Sequence, residues 1–394
     1  MLIGVVGKPS TGKSTFFKAA TLADAEIANY PFTTIKANEA VAYVKVPDVA
    51  QEFGKQSNPR NGYTKGKFRF LPVKLLDVAG LVEGAHGGKG MGNQFLDDLN
   101  KADVLLHVVD ISGSTNAKGE AVDALSYDPL LDVLFLEKEL DYWFLRLIKK
   151  GWDKFVRALQ QEKSDLFKAV AKQLSGIGVD EDLAKEVLMQ FPSELVNWTE
   201  EDLFHFAHLL REKTKPLLIA ANKIDVPGSE KNFERLQEYF PSLLCIPCSA
   251  ASELLLREAD QHGFLSYIPG EISFEVKKEL SSEQKKGLEF IQKNVLDIYG
   301  STGVQKVLNA VVFDVLKYLA VYPGGVNKLE DSKGNVLPDC FLMKEGTTVL
   351  DFAYHLHTDF GEKFIRAIDV KTKRTVGREH LLKHQDIFEI VAGR

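Results

Sequence analysis

Nine residues near the start of the chain, Gly7 to Thr15, read G-K-P-S-T-G-K-S-T and fit the spacing G-x-x-x-x-G-K-[S/T]. Gly7 and Gly12 bracket a turn (Lys8, Pro9, Ser10, Thr11) in which backbone N–H groups can curl into a nest around a polyphosphate. Lys13 would reach the outer phosphates and Ser14 would hold Mg2+. Ser14 and Thr15 open a helix, so the positive end of that helix faces the same anion.

Other clusters could act on the same ligand. Asp77-Val78-Ala79-Gly80 ends an apolar run, where the Asp77 carboxylate can hold Mg2+ through water and the Gly80 N–H can contact the terminal phosphate. Alone, D-x-x-G is an ordinary acidic turn; beside a phosphate loop it acquires a task. Asn222-Lys223-Ile224-Asp225 caps a second apolar run. Asp225 offers two oxygens to the N1–H and N2–H2 donors of guanine, whereas adenine presents an acceptor at N1 and nothing at position 2. Asn222 would brace the loop and the base edge, and the Lys223 stem could lie over the purine face. Ser249-Ala250 would supply backbone N–H groups to guanine O6. Residues 84–93 carry five glycines in ten positions and suit a loop ordered by one ligand and released with another.

These groups need a scaffold, and the sequence supplies one. Leu2 to Val6 predicts a strand running into the phosphate loop, and Phe16, Phe17, Ala19 and Ala20 predict the helix after it. Strand patterns follow at Val41 to Val44, Phe68 to Leu76, Val104 to Asp110, Pro216 to Asn222 and Leu243 to Pro247. The last runs are apolar on both faces, as in a buried parallel sheet. Residues 111 to 215 make a gap of 105, far beyond the roughly 30 that a helical crossover needs. Leu140, Trp143, Phe144, Leu147, Ile148, Trp152, Phe155, Val156 and Leu159 keep helical spacing over more than five turns, with Leu166 to Leu174 as a return helix. An inserted helical hairpin with a packing seam is the expectation.

The domain plan is a nucleotide domain over 1–115 and 211–272, the insertion at 116–210, a helical connection at 273–318 and a small sheet domain at 319–394. In the last, short strands surround one helix whose start is marked by Thr348 to Asp351, a capping-box pattern. Residues 361–394 hold eight Lys/Arg against five Asp/Glu, a local excess that could meet RNA phosphate or remain a solvated face.

With 394 residues, 45% hydrophobic and 26% charged, the composition is that of a folded chain of two or three domains. A formal charge of −6 argues against a generally basic nucleic-acid coat, and no DNA specificity is expected. No apolar run reaches about 18 residues, so no membrane span is expected and the cytoplasm is the expected location. Cys245 and Cys248 form C-x-x-C without a second ligand pair, inside an apolar stretch, and read as buried structural residues.

The order Gly7–Thr15, Thr33-Thr34, Asp77–Gly80, Asn222–Asp225 and Ser249-Ala250 resembles a translation-factor-related GTPase. N-Y-P-F-T-T with D-V-A-G-L-V-E-G-A-H-G-G-K-G-M-G-N-Q-F-L resembles the Obg family, especially its YchF-like branch. L-P-D-C-F-L-M-K-E-G-T-T-V-L-D-F-A-Y-H-L-H resembles a TGS domain, the β-grasp module of that branch. The resemblance implies an α/β fold: a P-loop GTPase domain with a mostly parallel sheet, the inserted helical hairpin, and a C-terminal β-grasp (TGS) domain. It also implies a nucleotide switch acting on or near the ribosome or its RNA; Mg2+ and GTP or GDP are the expected ligands, and a monomer is the expected state. Thr34, with Thr33 as alternative, is then the switch threonine on Mg2+, and Lys13, Thr34 and Gly80 are the catalytic set. Relatives of this branch often prefer ATP and have a changed base motif; retention of Asp225 favours GTP. Many relatives place a potassium-binding Asn where this chain has Ser10, which counts against potassium stimulation. Leu81 stands where Ras-like enzymes place a water-orienting Gln, so slow hydrolysis is expected, helped by a backbone group, His86 or a partner. An ATPase of the same fold and a nucleotide-gated RNA- or ribosome-binding adaptor are the rival readings.

Overall fold

The computed structural model describes residues 1–22, 38–78, 98–162 and 165–393. Two compact units emerge from its contacts. The first comprises Met1–Phe17 and Leu75–Ala251, the second Lys18–Lys74 and Ser252–Arg394.

In the first unit, strands β1 (Leu2–Val6), β5 (Val104–Asp110), β6 (Leu217–Asn222) and β7 (Leu244–Cys248) lie side by side and parallel. Every residue of β5 and β6 is buried, which explains why both read as continuous apolar runs rather than alternating ones. The last residues of β4 (Phe68–Asp77) enter this unit, where the Val78 N–H donates to the Val5 carbonyl at 3.1 Å. Gly4 marks close packing: a Cβ there would stand 2.9 Å from the Ala102 Cβ. Cys245 and Cys248 are buried free thiols, and burial pushes the Cys245 thiol up to about 12.

The insertion departs from the expected hairpin. Among the described residues it contains five α-helices: α2 (Leu130–Lys149), α3 (Trp152–Glu162), α4 (Leu166–Leu174), α5 (Glu181–Leu188) and α6 (Glu200–Thr214), after α1 (Lys13–Thr21) at the nucleotide loop. The long apolar stripe is divided between α2 and α3 because Gly151 adopts φ 85°, a left-handed conformation that ends one helix and lets the next begin. Leu140, Trp143, Phe144, Ile148, Trp152 and Val156 nevertheless share one buried core, so the stripe is a packing seam. Trp152 meets Trp198 and Phe206 at ring-centroid distances of 5.8 and 6.0 Å. Asp165, Asp180 and Thr199 cap the later helices.

In the second unit, β3 (Tyr63–Lys65) folds antiparallel on β4, and β2 (Glu39–Pro47) precedes them. A short antiparallel pair, β8 (Leu265–Tyr267) and β9 (Phe274–Val276), has its second strand inside the segment that the sequence suggested was helix. The C-terminal domain is a five-stranded mixed sheet of β10 (Tyr318–Pro323), β11 (Phe341–Lys344), β12 (Phe364–Asp369), β13 (Thr375–Val376) and β14 (Ile387–Ala392), in the order β11-β10-β14-β12-β13. Its helix Val349–Leu356 carries the full capping box, with Thr348 and Asp351 each bonded to the other's backbone.

The same unit ties the β2–β4 segment to the C-terminal domain. Arg69 is 1% exposed, and its Nη1 and Nη2 donate to the carbonyls of Leu337 and Pro338 at 2.5 and 2.9 Å. Asn58 and Arg60 add backbone N–H bonds to the carbonyls of Val336 and Pro338, both at 2.9 Å. The two Arg69 bonds are charge-assisted and so roughly twice as strong as the neutral backbone pair.

Candidate nucleotide site

The loop Gly7–Gly12 joins β1 to α1, and its shape follows from close contacts. A Cβ at Gly7 would lie 2.7 Å from the Val108 carbonyl oxygen. Gly12 has φ 87°, and a Cβ there would reach 2.3 Å from the Asn222 Nδ2. Ser10 also takes a positive φ, 64°, which a non-glycine residue adopts at a cost of about 1–2 kcal/mol. Pro9 is packed against Gly119, where a Cβ would stand 2.6 Å from the Pro9 Cβ. The Phe16 N–H donates to the Gly12 carbonyl at 2.8 Å and starts α1, leaving Ser14 exposed in its first turn.

Asn222 joins three of the sequence clusters. Its Nδ2 donates to the Thr11 carbonyl at 2.8 Å, and its Oδ1 accepts from the Ala250 N–H at 3.0 Å. It is 3% exposed. The Ala250 N–H is therefore engaged by a side chain of the chain itself. Ser249 is fully buried beside it. Lys223 sits at φ 63°, and its ammonium bonds Asp110 at 2.8 Å and the Ser114 hydroxyl at 3.2 Å. Burial pushes the Asp110 carboxyl up, but hydrogen bonds from Lys223, Ser112 and Thr115 outweigh it and leave the group below the ordinary carboxylate range. Asp225 follows in the turn after β6, half-buried.

Lys13 is paired with Asp77, and its Nζ also donates to the Val78 carbonyl at 3.0 Å. Asp77 thus stands opposite the phosphate-loop lysine, a third exposed, and Ser14, the residue after Lys13, is a second oxygen donor. Oxygen donors of this kind suit Mg2+. Thr33, Thr34, Gly80, Leu81 and His86 lie outside the described residues.

Lys8 is placed differently from its loop neighbours. It is 5% exposed; its Nζ lies 2.8 Å from the Thr115 carbonyl and 2.8 Å from Asp132. The same ammonium sits 3.8 Å from the centre of the Tyr127 ring, whose hydroxyl donates to Asp132 at 2.9 Å. Its charge is spent beneath the loop, so only its backbone can serve a phosphate. Nothing in G-x-x-x-x-G-K signals this, because the x positions are free and Asp132 lies 124 residues away (132 − 8).

A parallel sheet with a glycine-bounded phosphate loop, and a base motif braced against that loop, define a P-loop GTPase fold. The comparisons agree: residues 2–136 match a model described as 50S ribosome-binding GTPase, 220–325 one described as Obg-like GTPase YGR210-like, G4 motif-containing domain, and 333–392 the TGS domain. An uncharacterized GTP-binding protein of Methanocaldococcus jannaschii is 46% identical over 99% of both chains. The crystal structure of a GTP binding protein from Pyrococcus horikoshii superposes over 100% of both chains with a TM-score of 0.79 and 41% identity. The ribosome-binding ATPase YchF of Bacillus subtilis is 29% identical over 96% of this chain and 89% of its own. The chain belongs to the GTP-binding Obg-like family, which includes YchF and carries a C-terminal TGS domain.

Proposed function

We propose that this protein is a regulatory GTPase that hydrolyses GTP slowly with Mg2+ and works on the ribosome, as a cytoplasmic monomer. The observation that carries the reading is Asn222, whose amide holds the phosphate loop at Thr11 and the Ser249-Ala250 segment at once, with Asp225 three residues on. Asp225 would take the guanine N1–H and N2–H2 groups, and the Lys223 stem, steadied by Asp110, would flank the base. Gly7 to Thr15 would hold the phosphates.

Ser14, Thr34 and Asp77 would hold Mg2+, which when bound neutralises charge on the phosphate oxygens. Lys13 would leave Asp77 and the Val78 carbonyl for the outer phosphates, so ligand entry exchanges one charge pair for another. Gly80 would offer its N–H to the terminal phosphate. Leu81 has no polar atom to orient water, which leaves positioning and charge to do the catalysis and keeps the intrinsic rate low.

Titration calorimetry with GDP and ADP tests the base assignment. GDP should bind at least tenfold more tightly, and Asp225→Ala should erase the preference; tighter ADP binding would overturn it. The family link to YchF, a ribosome-binding ATPase in Bacillus subtilis, supports the ribosomal role. Cosedimentation with ribosomes should respond to exchange of GDP for a non-hydrolysable GTP analogue. Indifference to nucleotide would favour the adaptor reading.

A further inference from the structure

Lys8 of the phosphate loop and Lys223 of the base motif both send their ammonium groups into the segment that follows β5. Thr115 joins the two. Its Oγ1 donates to the Asp110 Oδ2 at 2.8 Å, and the Lys223 ammonium donates to that same oxygen at 2.8 Å. Its carbonyl accepts from the Lys8 ammonium, also at 2.8 Å. One residue, 4% exposed, thus stands in a continuous chain of bonds that runs from Lys223 through Asp110 and Thr115 to Lys8, and on to Asp132.

The hydroxyls of Ser112 and Ser114 complete the shell of Asp110 at 2.5 and 2.9 Å, and Gly119 packs on Pro9, so the same segment also meets the phosphate loop by contact. Buried ion pairs stabilise a fold little more than apolar packing of equal volume, and they are costly when one partner is lost. A segment that only connected β5 to α2 would gain little from them. Their effect here is on geometry. Asn222 already ties the base motif to the phosphate loop through the Thr11 carbonyl. One tie leaves a hinge, whereas a second tie through Thr115, at a different point of each partner, fixes the tilt as well as the separation. A loop held in its bound shape loses less of the binding free energy to ordering.

We propose that Thr115 is a positioning residue that fixes the base motif against the phosphate loop, so that a bound purine sets the loop for the outer phosphate; this rests on the two motifs forming one nucleotide site, and not on which purine fills it. The base holds the Lys223 stem, Lys223 and Thr115 share the Asp110 carboxylate, and Thr115 holds Lys8 beneath the loop. No covalent bond is made or broken.

Competition titrations on the full chain with Mg2+ test this by comparing GDP with GMP, which lacks the outer phosphate. Thr115→Val keeps the shape and the carbonyl and removes the hydroxyl. The ratio of GDP to GMP affinity should fall roughly threefold to tenfold, the contribution of one hydrogen bond, with GMP affinity within about twofold of wild type. Thr115→Ser returns the hydroxyl and should return the ratio. A residue that only supported the fold would lower both affinities by one factor, through the fraction of competent chain. Thr115 is not a positioning residue if both ligands weaken alike, if neither changes, or if the Ser variant behaves as the Val variant. ADP against AMP should show the same fall, since Asp225 has no part in the network. Tighter binding of ADP than of GDP would overturn the guanine assignment and leave both ratios standing. Where Thr115→Val fails to fold, amide exchange of the wild type decides: saturating GDP should slow residues 112–116 more than saturating GMP does, and equal protection would overturn the proposal.

Discussion

Asn222 and Arg69 do the same mechanical job in different places, and the contrast explains what each part of the molecule can tolerate. Both are buried and both bridge segments remote in sequence, 211 residues apart for Asn222 with Thr11 and 268 for Arg69 with Leu337. Asn222 is neutral and serves one acceptor and one donor, so it is matched atom for atom by its two partners. Arg69 is charged, serves two carbonyls, and keeps its Nε without a hydrogen-bond partner among the described residues. The neutral strut organises the candidate nucleotide site at small desolvation cost; the charged one fastens a domain and depends on its partners staying in place.

Arg69→Met breaks the charged strut and has the largest expected effect. The buried Leu337 carbonyl loses its donor and the Pro338 carbonyl keeps only the Arg60 N–H, and two bonds from a charged group, each contributing about 1.5–3 kcal/mol, are removed, so the second unit should lose about 3 kcal/mol of unfolding free energy in a urea titration. The GDP over ADP preference should be unchanged. If base preference collapses with Arg69→Met, the two struts do not have separate tasks.

Asn222→Ala is the converse. It removes two hydrogen bonds, each contributing about 0.5–1.5 kcal/mol, so the stability loss should be near 2 kcal/mol. GDP affinity should fall roughly tenfold to a hundredfold by calorimetry, at 1.4 kcal/mol per decade. A fully stable variant with normal GDP affinity would remove the central argument for the site.

A third bridge adds a titratable case and the smallest effect. Between α2 and α6, Asp141 accepts from the Arg211 Nε and pairs with the His208 Nδ1, both at 2.9 Å, while Glu212 lies 3.7 Å from the His208 Nε2 and Glu137 3.6 Å from the Arg211 Nη2. The hydrogen bond to Asp141 raises the His208 imidazole above its usual value, against the opposing effect of burial. A raised histidine stabilises fully below its unfolded value of about 6.5, and that contribution is lost as pH rises through the higher folded value. His208 is 34% exposed, so screening keeps the effect below about 1 kcal/mol. Stability should therefore decline slightly above pH 6.5, and Asp141→Asn should flatten that slope.

The sequence revealed the neutral strut and hid the charged one, for a physical reason. Asn222 belongs to a motif whose spacing is dictated by a ligand, and ligands leave fixed patterns. Arg69 is one residue in the strand pattern F-R-F-L-P-V-K, with nothing beside it to distinguish it from a solvated arginine. Its partners are backbone carbonyls, which any sequence can provide, so no residue type announces them. The insertion was legible as helical and as a packing seam because apolar spacing runs through Gly151 unbroken. Its division was not, since periodicity records which face is buried and not where backbone conformation changes. The β-grasp domain was legible from its short apolar runs and its capping box, while the two-residue β13 was too short to show a period.

Strand β4 carries one consequence further. Arg69 near its first residue is held by Leu337 and Pro338, and Asp77, its last, is held by Lys13. The strand is thus pinned at each end by a different bond, a guanidinium on two carbonyls and an ammonium on a carboxylate. Cutting one pin leaves the other in place, so amide exchange along β4 should quicken from the end that was cut rather than along its whole length.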